Sequence, residues 1–319
     1  MLLGGDLGGT KTLLALAEPA GAGLRIVRQQ RYASADFAQF DDLLADFLHD
    51  APPVSAACFG LAGPTDGQRA KLTYLPWQLD AAALAERFRL GRVSLLNDFA
   101  AAAHGLASLS PTDLLTLHPA QAVAQAPRVV LGAGTGLGVA GLIWQDTGYQ
   151  VIAGEGGHFG FAPQTTEQGE LWRWLFDQYG RVTSEDIISG PGLARIYAFL
   201  GGRPQHERQG IHELPQPAAI GQAALTRSDP RAIAAVRLWL ECYGAFAGDL
   251  AMHWLAYGGV YLAGGIAAKL LPHCDRQAFV DAFLAKREHS DLVANMPIQL
   301  ITTEDLGLRG ALAYATSGR

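Results

Sequence analysis

Two glycine-rich segments of the chain have residue types suited to binding phosphate groups. The first, DLGGTKT, begins at Asp6, and the second, GAGTGLG, begins at Gly132. Glycine lets backbone N–H groups approach phosphate oxygens without a Cβ in the way, and threonine hydroxyls add further donors. Asp6 lies at a predicted strand end, where its carboxylate can hold Mg²⁺ through water. Structural hairpin turns, with Asp6 as a capping residue in the first, are the alternative for both segments.

Each segment resembles a well-known phosphate-binding motif but does not match it. The first has Gly-Thr-Lys where a P-loop requires Gly-Lys, and it precedes a predicted strand instead of a helix. The second contains the pattern GxGxxG from Gly136 to Gly141, but a strand is predicted over Val139–Trp144 where the dinucleotide fingerprint requires a helix. We therefore predict two hairpin turns that can hold a chain of phosphates from both sides.

A carboxylate that could act as a general base follows a buried strand. The predicted strand Val93–Leu96 leads directly into Asn97 and Asp98, which open an alanine-rich helix. A carboxylate at the carboxyl end of a strand can accept the proton of a substrate hydroxyl. Aspartate is also a good N-cap, so a purely structural role for Asp98 stays open.

Two further segments carry side chains that could bind adjacent hydroxyls of a sugar. The segment GEGGH places Glu155 and His158 on glycine-rich backbone, where the imidazole can donate and the carboxylate can accept. Glu185, in the segment VTSED, is a third acidic candidate. An exposed loop is the alternative for the first segment and an ordinary helix start for the second. Each signal is weak alone, but together with the two turns and the strand-end aspartate they form a strong combination.

The elements that must position these residues follow one order twice. The first third is predicted as β-β-β-α-β-α-β-α, and a similar order begins again near Arg128. The strands predicted in the first copy are Met1–Gly5, Thr12–Ala17, Leu24–Tyr32, Ser55–Leu61 and Val93–Leu96. Those predicted in the second are Arg128–Leu131, Val139–Trp144, Tyr149–Ile152, Val260–Ala263 and Ile298–Ile301. Helices are predicted to dominate from Glu167 to His253, with an excursion loop over Gly201–Pro217.

Composition narrows the class of protein. The chain has 319 residues, of which 49% are hydrophobic and 17% charged, with a formal net charge of −6. This length predicts two domains with a large core, and the acidic balance argues against nucleic acid as a partner. Three cysteines far apart in sequence predict neither a disulfide framework nor a structural zinc site. The amino terminus lacks a basic region followed by a long apolar stretch, so we expect a cytoplasmic protein without a secretory signal.

One uncharged stretch, Leu250–Ala268, is about as long as a membrane span. It contains His253 and two glycine pairs, Gly258-Gly259 and Gly264-Gly265. These breaks divide it into a helical end, a short strand and a turn. We therefore predict buried core and no membrane association.

In sequence order, the motifs of the chain resemble those of the bacterial-type glucokinase family, within the superfamily of hexokinase, actin and heat-shock chaperone ATPases. The resemblance covers essentially the whole chain, and LNDFxA together with GEGGHxxFAP is the most specific part. The related repressor and kinase family usually carries a zinc-binding cysteine cluster after its Glu-x-Gly-His motif, which this chain lacks. The motifs that carry the resemblance are GDLGGTKT, GLAGP, LTYLPW, LLNDFAA, GAGTGLG, GEGGH, VTSEDIISGPG and LAGGI.

The resemblance implies a role for each matching residue. Asp98 would be the general base, and the glucose ligands would be Asn97, Asp98, Glu155, His158 and Glu185. The residues around ATP would be Asp6, Gly8, Gly9, Thr10, Gly134, Thr135, Gly136, Gly264 and Gly265, with Asp6 also serving Mg²⁺. The sugar loop departs from the family pattern, because Tyr74 stands where an asparagine is usual. This departure concerns fine sugar contacts or cleft closure and leaves the reaction type as expected.

The expected architecture is an α/β, two-domain, actin-like (ribonuclease H-like) ATPase fold with an interdomain cleft and a duplicated β-β-β-α-β-α core. The small domain would comprise residues 1–106 and 302–319, and the large domain residues 107–301. The expected activity is transfer of a phosphoryl group from ATP to the 6-hydroxyl of D-glucose, with Mg²⁺ as cofactor. The alternatives are a kinase for another hexose or amino sugar, and a non-kinase ATPase or sugar-sensing module. Glucose and ATP are the expected partners, and a homodimer is expected.

Overall fold

The computed structural model describes residues 1–21, 23–73, 75–202 and 215–317. The chain forms two compact units. The first comprises Met1–Pro111 with Thr303–Arg319, and the second Thr112–Thr302. A small domain that ends at residue 106 and resumes at residue 302 stays a prediction. Most of the predicted excursion loop, and Tyr74 of the sugar loop, lie outside the described residues.

The first unit is built on a mixed sheet of five strands, with both parallel and antiparallel pairs. Its strands run in the order β3-β2-β1-β4-β7, and a separate two-stranded hairpin pairs β5 with β6. The strands are β1 (Leu2–Leu7), β2 (Lys11–Ala20), β3 (Gly23–Ala33), β4 (Ala56–Leu61), β5 (Arg69–Lys71), β6 (Gln78–Asp80) and β7 (Arg92–Asn97). The helices are α1 (Phe40–Leu48), α2 (Ala81–Phe88), α3 (Asp98–Gly105) and α11 (Leu306–Thr316).

Both faces of this sheet are covered, because side chains alternate between the two faces along each strand. Leu3 and Leu7 of β1 belong to one core, which also holds the aromatic side chains of Phe40 and Phe59. Leu2 belongs to the core on the other side, together with the apolar face of α11. The central strands are therefore buried on both faces, as is usual for parallel strands.

The second unit repeats this arrangement. Its sheet has the order β11-β10-β9-β12-β13-β8. The strands are β8 (Leu114–His118), β9 (Arg128–Ala133), β10 (Leu137–Gln145), β11 (Gly148–Gly154), β12 (Val260–Ala263) and β13 (Ile298–Ile301). The helices are α4 (Thr166–Tyr179), α5 (Gly190–Leu200), α6 (Pro217–Leu225), α7 (Pro230–Trp254), α8 (Gly265–Leu270), α9 (Gln277–Leu284) and α10 (Ser290–Ala294).

The duplication predicted from the sequence is visible in the strand order. In each unit the first three strands form an antiparallel meander, and the fourth and fifth strands pair in parallel beside the first. The second sheet has one addition, β8, which pairs antiparallel with β13 at the edge. The mixed α/β fold with a duplicated core is confirmed.

Several sequence predictions need correction. The hairpin of β5 and β6 and the edge strand β8 were not predicted, since three-residue strands and a single edge strand carry little periodicity. The first strand was predicted to end at Gly5, but it continues to Leu7 and so includes Asp6. It extends because Asp6 pairs in register with both Leu13 and Gly60 on the neighbouring strands.

The uncharged stretch Leu250–Ala268 forms the end of α7, strand β12 and part of α8. Leu255 ends α7 in the left-handed conformation, with φ of 48°. In the parts of the chain that the structure describes, no helix has the length and hydropathy of a membrane span.

Close backbone packing between α3 and α11 gives a test of the first unit. A Cβ added at Gly310 would lie 1.7 Å from the carbonyl oxygen of Ala101, so the two helices would have to separate. We expect Gly310→Ala to lower the free energy of unfolding by about 1–3 kcal/mol or more, measured by urea denaturation.

A matched control lies on α4. A Cβ added at Gly169 meets nothing within 4 Å, and alanine favours the helix, so Gly169→Ala should raise stability by about 0.5–1 kcal/mol. An unchanged urea midpoint for Gly310→Ala would contradict the tight packing of α3 on α11.

Candidate active site

The first glycine turn connects β1 to β2 and is held by Ser34. The amide of Gly8 donates to the carbonyl of Lys11 at 3.0 Å. The hydroxyl of Ser34 donates to the carbonyl of Gly8 at 2.8 Å, and the Oγ atoms of Thr12 and Ser34 are 3.0 Å apart. Thr12 is thus buried, while Thr10 is exposed. The turn has one defined conformation, and Ser34 is a supporting residue that sequence analysis missed, because nothing in its local sequence marks it.

Asp6 lies near the end of β1 with its carboxyl group against the first turn of α11. A Cβ at Gly307 would lie 3.0 Å from both Cγ and Oδ2 of Asp6, so any larger residue there would crowd this carboxyl group. Burial raises the pKa of Asp6 from its ordinary 3.8 to about 6, while the positive charge of Lys11 opposes the rise. A desolvated carboxyl group of this kind gains strongly from a cation placed beside it. Gly307 was also missed, since it follows Asp6 by 301 positions in the sequence.

Asn97 and Asp98 lie where β7 passes into α3. Asn97 is the N-cap, and its Oδ1 accepts hydrogen bonds from the amides of Phe99 at 2.9 Å and Ala100 at 3.3 Å. Asp98 is the first helical residue, and its Oδ1 also accepts from the amide of Phe99 at 2.9 Å. The structure therefore assigns the cap considered for Asp98 to Asn97. The Asp98 carboxylate lies at the N-terminus of α3, where negative charge interacts favourably with the helix dipole.

The parallel pairing brings these residues to one edge of the first sheet. Leu7 pairs with Leu61 of β4, and Leu61 pairs with Asn97 of β7. Two strand spacings separate β1 from β7, or roughly 10 Å. The glycine turn after β1 and the Asn97-Asp98 pair after β7 are therefore neighbours within the first unit.

The second glycine turn connects β9 to β10 and is contacted by α5 and α8. The amide of Gly190, the first residue of α5, donates to the carbonyl of Gly134 at 2.8 Å. Gly264, just before α8, has φ of 91°, and a Cβ there would lie 2.5 Å from the carbonyl oxygen of Ala133. Thr135 at the tip is exposed, and a Cβ at Gly134 would meet nothing within 4 Å. The pair Gly264-Gly265 thus lies beside the turn, whose outer side is open.

Glu155 and His158 lie on a 3-10 turn that follows β11. The amide of His158 donates to the carbonyl of Glu155 at 3.0 Å, and both residues are exposed. Gly157 between them packs on β10, where a Cβ would lie 2.0 Å from the carbonyl oxygen of Leu137. The amide of Glu185 donates to the carbonyl of Gly157 at 2.9 Å. The structure therefore brings the three predicted sugar ligands of this unit onto adjoining backbone.

The loop that carries Glu185 is fixed by its neighbours. Thr183 Oγ1 donates to Asp186 Oδ2 at 2.8 Å, and the Thr183 amide donates to the same oxygen at 2.9 Å. Arg195 on α5 donates to the carbonyl of Asp186 at 2.9 Å and lies 3.5 Å from its carboxylate. A helix does start in the longer segment VTSEDIISGPG, because α5 begins at Gly190 with Ser189 as its cap, and Glu185 lies in the loop before it. Asp186 and Arg195 are supporting residues that sequence analysis did not identify.

Glu185 also contacts the second glycine turn. Its Oε2 accepts a hydrogen bond from the amide of Leu137 at 2.8 Å. A Cβ at Gly136 would lie 2.6 Å from the same oxygen. This contact between a predicted sugar ligand and a predicted phosphate turn was not expected, because the two segments are 48 residues apart.

Tyr74, at which the sugar loop departs from the family pattern, lies outside the described residues. The residues around it are part of the core of the first unit. Trp77 is buried, and its indole N–H donates to the carbonyl of Phe37 at 3.2 Å. Trp77 therefore anchors this part of the loop in the core of the first unit.

The fold and these residues define a class of protein. A duplicated unit with a glycine turn after its first strand is the architecture of actin-like ATPases. Acidic, amide and imidazole side chains beside the turns indicate the sugar kinases within that class.

Comparisons with known proteins identify the family. The Glucokinase family profile matches residues 3–318. A glucokinase from Nostoc sp. is 39% identical over 99% of this chain and 98% of its own length, and one from Mesorhizobium japonicum is 34% identical over 98% and 91%. The crystal structure of a glucokinase from an Antarctic psychrotroph superposes with a TM-score of 0.85 at 28% identity, covering 98% of both chains. The chain belongs to the glucokinase family.

The raised pKa of Asp6 predicts how stability depends on pH in metal-free solution. The pKa is about 6 in the folded protein against an ordinary 3.8, so the folded state holds the proton more tightly. Stability should therefore fall as pH rises from about 4 to about 6, by about 3 kcal/mol at 1.36 kcal/mol per pKa unit. Asp6→Asn has no carboxyl group to ionise at this position and should lack this fall.

Urea midpoints at a series of pH values, in buffer with a chelator, measure this difference. Asp42→Asn, at an exposed carboxylate on α1, is the control and should follow the wild-type curve. Parallel curves for the wild type and Asp6→Asn would contradict the desolvation of the Asp6 carboxyl group.

Proposed function

We propose that this protein transfers the γ-phosphoryl group of ATP to the 6-hydroxyl of D-glucose. The observation that carries the proposal is the position of Asp98, a carboxylate at a strand end beside the first glycine turn, in a chain of the glucokinase family. Supporting it, a structural neighbour from Streptomyces griseus is a ROK family glucokinase in complex with glucose and AMPPNP, and one from Balamuthia mandrillaris is a glucokinase in complex with glucose.

Asp98 is proposed as the general base. Its carboxylate accepts the proton of the 6-hydroxyl as the sugar oxygen bonds to the γ-phosphorus, and ADP leaves with the electrons of the broken bond. The hydrogen bond from the Phe99 amide to Asp98 Oδ1 helps to fix the carboxylate at the start of α3. Catalysis in this class consists mainly of positioning and electrostatic stabilisation, so a fixed base is more valuable than a mobile one.

The two glycine turns are proposed to bind the phosphates of ATP. Backbone amides and the hydroxyls of Thr10 and Thr135 are donors that match the negative charge developing on the transferred group. Gly264 and Gly265 would lie against the adenosine. Mg²⁺, held through water by Asp6, would neutralise charge on the terminal phosphates. The desolvated carboxyl group of Asp6 fits such a cation, because the ion would stabilise the charged form that burial disfavours.

Asn97, Glu155, His158 and Glu185 are proposed to bind the sugar hydroxyls. The Asn97 oxygen caps α3, so its Nδ2 group is the donor available to a sugar. Glu155 and His158 are exposed on a turn that is supported from behind by Gly157. One acceptor and one donor so placed suit the alternating hydroxyls of a hexose.

ADP release with a panel of sugars tests the proposal directly. With Mg·ATP, we expect rapid ADP release in the presence of glucose. The kcat/KM for mannose, fructose or an amino sugar should be at least tenfold lower than that for glucose. The reason is that a site built to hydrogen-bond a hydroxyl rejects analogues that lack the hydroxyl at that position. A preference for another sugar would favour the kinase for a different hexose. Release that no sugar stimulates would favour the non-kinase ATPase.

Asp98→Asn tests the base. The amide keeps the size of the side chain and an oxygen for the Phe99 amide, but it cannot accept the proton. We expect kcat to fall by about 10²–10⁴ while the Kd for glucose changes little. The exposed Asp42→Asn variant should retain full turnover. Wild-type turnover in folded Asp98→Asn would limit Asp98 to a structural role in α3.

A cytoplasmic location and a homodimer complete the proposal. Sedimentation velocity of the purified chain tests the oligomeric state.

A further inference from the structure

Glu185, in the second unit, connects two proposed functional segments. Glu185 is one of the proposed sugar ligands, and its Oε2 accepts the Leu137 amide at the end of the second glycine turn at 2.8 Å. The same residue's amide donates to Gly157, between the other two sugar ligands of this unit. Within the described part of the chain, no protein group hydrogen-bonds its Oε1.

The Leu137 peptide is held from both sides. Its N–H group donates to Glu185, and its carbonyl oxygen lies against Gly157, where a Cβ would come within 2.0 Å. The Leu137 side chain is buried in the core of the unit, so the end of the turn is anchored. Any shift of the Glu185 carboxylate therefore changes the hydrogen bonding of the glycine turn at a position that is otherwise fixed.

Gly136 provides the space for this contact. An added Cβ would lie 2.6 Å from Oε2 and 3.3 Å from Cδ of Glu185, and the three atoms nearest to it all belong to Glu185. The contacted group is the end of a flexible side chain, so the carboxylate can move away at little cost to the fold. Gly134, two residues earlier in the same turn, has open space at its Cβ position.

We propose that Glu185 is a shared ligand, which holds the Leu137 amide of the phosphate turn with Oε2 and accepts a sugar hydroxyl with Oε1. The sugar and the phosphate turn are then coupled through one side chain, and Gly136 and Leu137 are positioning residues for sugar binding. The proposal rests on the proposed function, because it takes a sugar as the second ligand of Glu185.

The coupling has a direct physical basis. A sugar hydroxyl on Oε1 fixes the rotamer of Glu185 in which Oε2 meets the Leu137 amide, so sugar binding strengthens the hydrogen bond that holds the end of the turn. By linkage, whatever the sugar contributes to nucleotide affinity, the nucleotide contributes equally to sugar affinity. Hydrogen bonds to charged groups are strong enough for the coupling to be measurable.

Two alanine substitutions in one turn test the proposal by calorimetric titration of glucose in the absence of nucleotide. Gly136→Ala displaces the Glu185 carboxylate, and we expect the Kd for glucose to rise about 10- to 100-fold, the range for a hydrogen bond to a charged group. Gly134→Ala adds its Cβ to the open side of the turn, so it should weaken the binding of AMPPNP. Since only the phosphate side of the turn changes, the Kd for glucose should stay within about twofold of the wild-type value. A glucose Kd unaffected by Gly136→Ala, or raised equally by both substitutions, would overturn the proposal.

A double-mutant cycle separates this coupling from general damage to the turn. Glu185→Ala removes the carboxylate that Gly136→Ala would displace. Adding Gly136→Ala to Glu185→Ala should therefore not weaken glucose binding any further. Additive losses in the double variant would mean that Gly136 acts by another route. Glu185→Gln keeps an oxygen for the Leu137 amide, so it should weaken glucose binding while preserving the contact with the turn.

Hydrogen exchange of the Leu137 amide, measured without any ligand, tests the contact independently of sugar binding. Exchange should be slow in the wild type and Glu185→Gln, and faster in Glu185→Ala and Gly136→Ala. Equal exchange in all four proteins would remove the structural basis of the proposal. If the exchange rates differ as expected but the wild type does not bind glucose, the proposed function is wrong, and the sugar part of this proposal is wrong with it.

Discussion

The pairing of parallel strands is the constraint on which the site of each unit depends. β1, β4 and β7 run in parallel in the first unit, as do β9, β12 and β13 in the second. Parallel strands present their carboxyl ends at one edge of a sheet, so the segments after them become neighbours although they are distant in sequence. In the first unit this edge carries the glycine turn and the Asn97-Asp98 pair, and in the second it carries the other turn and Gly264.

Close approach of backbone to backbone then determines how firmly these segments are held. Gly157 allows the turn that carries Glu155 and His158 to touch the Leu137 carbonyl, and Gly264 allows the segment before α8 to touch Ala133. In the first turn the carbonyl of Gly8 accepts from the Ser34 hydroxyl, and in the second the carbonyl of Gly134 accepts from the Gly190 amide. Amides that bind phosphate gain most when they need not reorganise, so this rigidity serves the proposed chemistry.

Asp6 and Glu185 show two ways in which a functional carboxylate is accommodated. Asp6 is desolvated with Lys11 as the opposing charge, so its ionised form costs stability until a cation is present. Glu185 instead hydrogen-bonds a backbone amide and lies in a loop fixed by Asp186 and Arg195. Both arrangements have a glycine, Gly307 or Gly136, at the position where a side chain would crowd the carboxylate.

Local patterns in the sequence determined the elements and the candidate residues. Hydrophobic periodicity predicted the order of strands and helices, and the structure has β12 and β13 at the predicted residues. The strand that follows Gly136 excluded a dinucleotide fingerprint, and this prediction is confirmed because β10 is a strand. The motif order also predicted the family. These features depend on residues close together in the chain, where spacing alone carries the information.

Other features were decided only by the tertiary structure. The N-cap of α3 is Asn97 and not Asp98, the edge strand β8 pairs with a strand that follows it by about 180 residues, and Glu185 contacts Leu137. Each depends on which distant backbone groups come within hydrogen-bonding distance or van der Waals contact once the sheets have formed. A single sequence lists the donors, acceptors and glycines, but only the packed chain determines which of them meet, because hydrogen bonds and steric contacts act over a few ångströms.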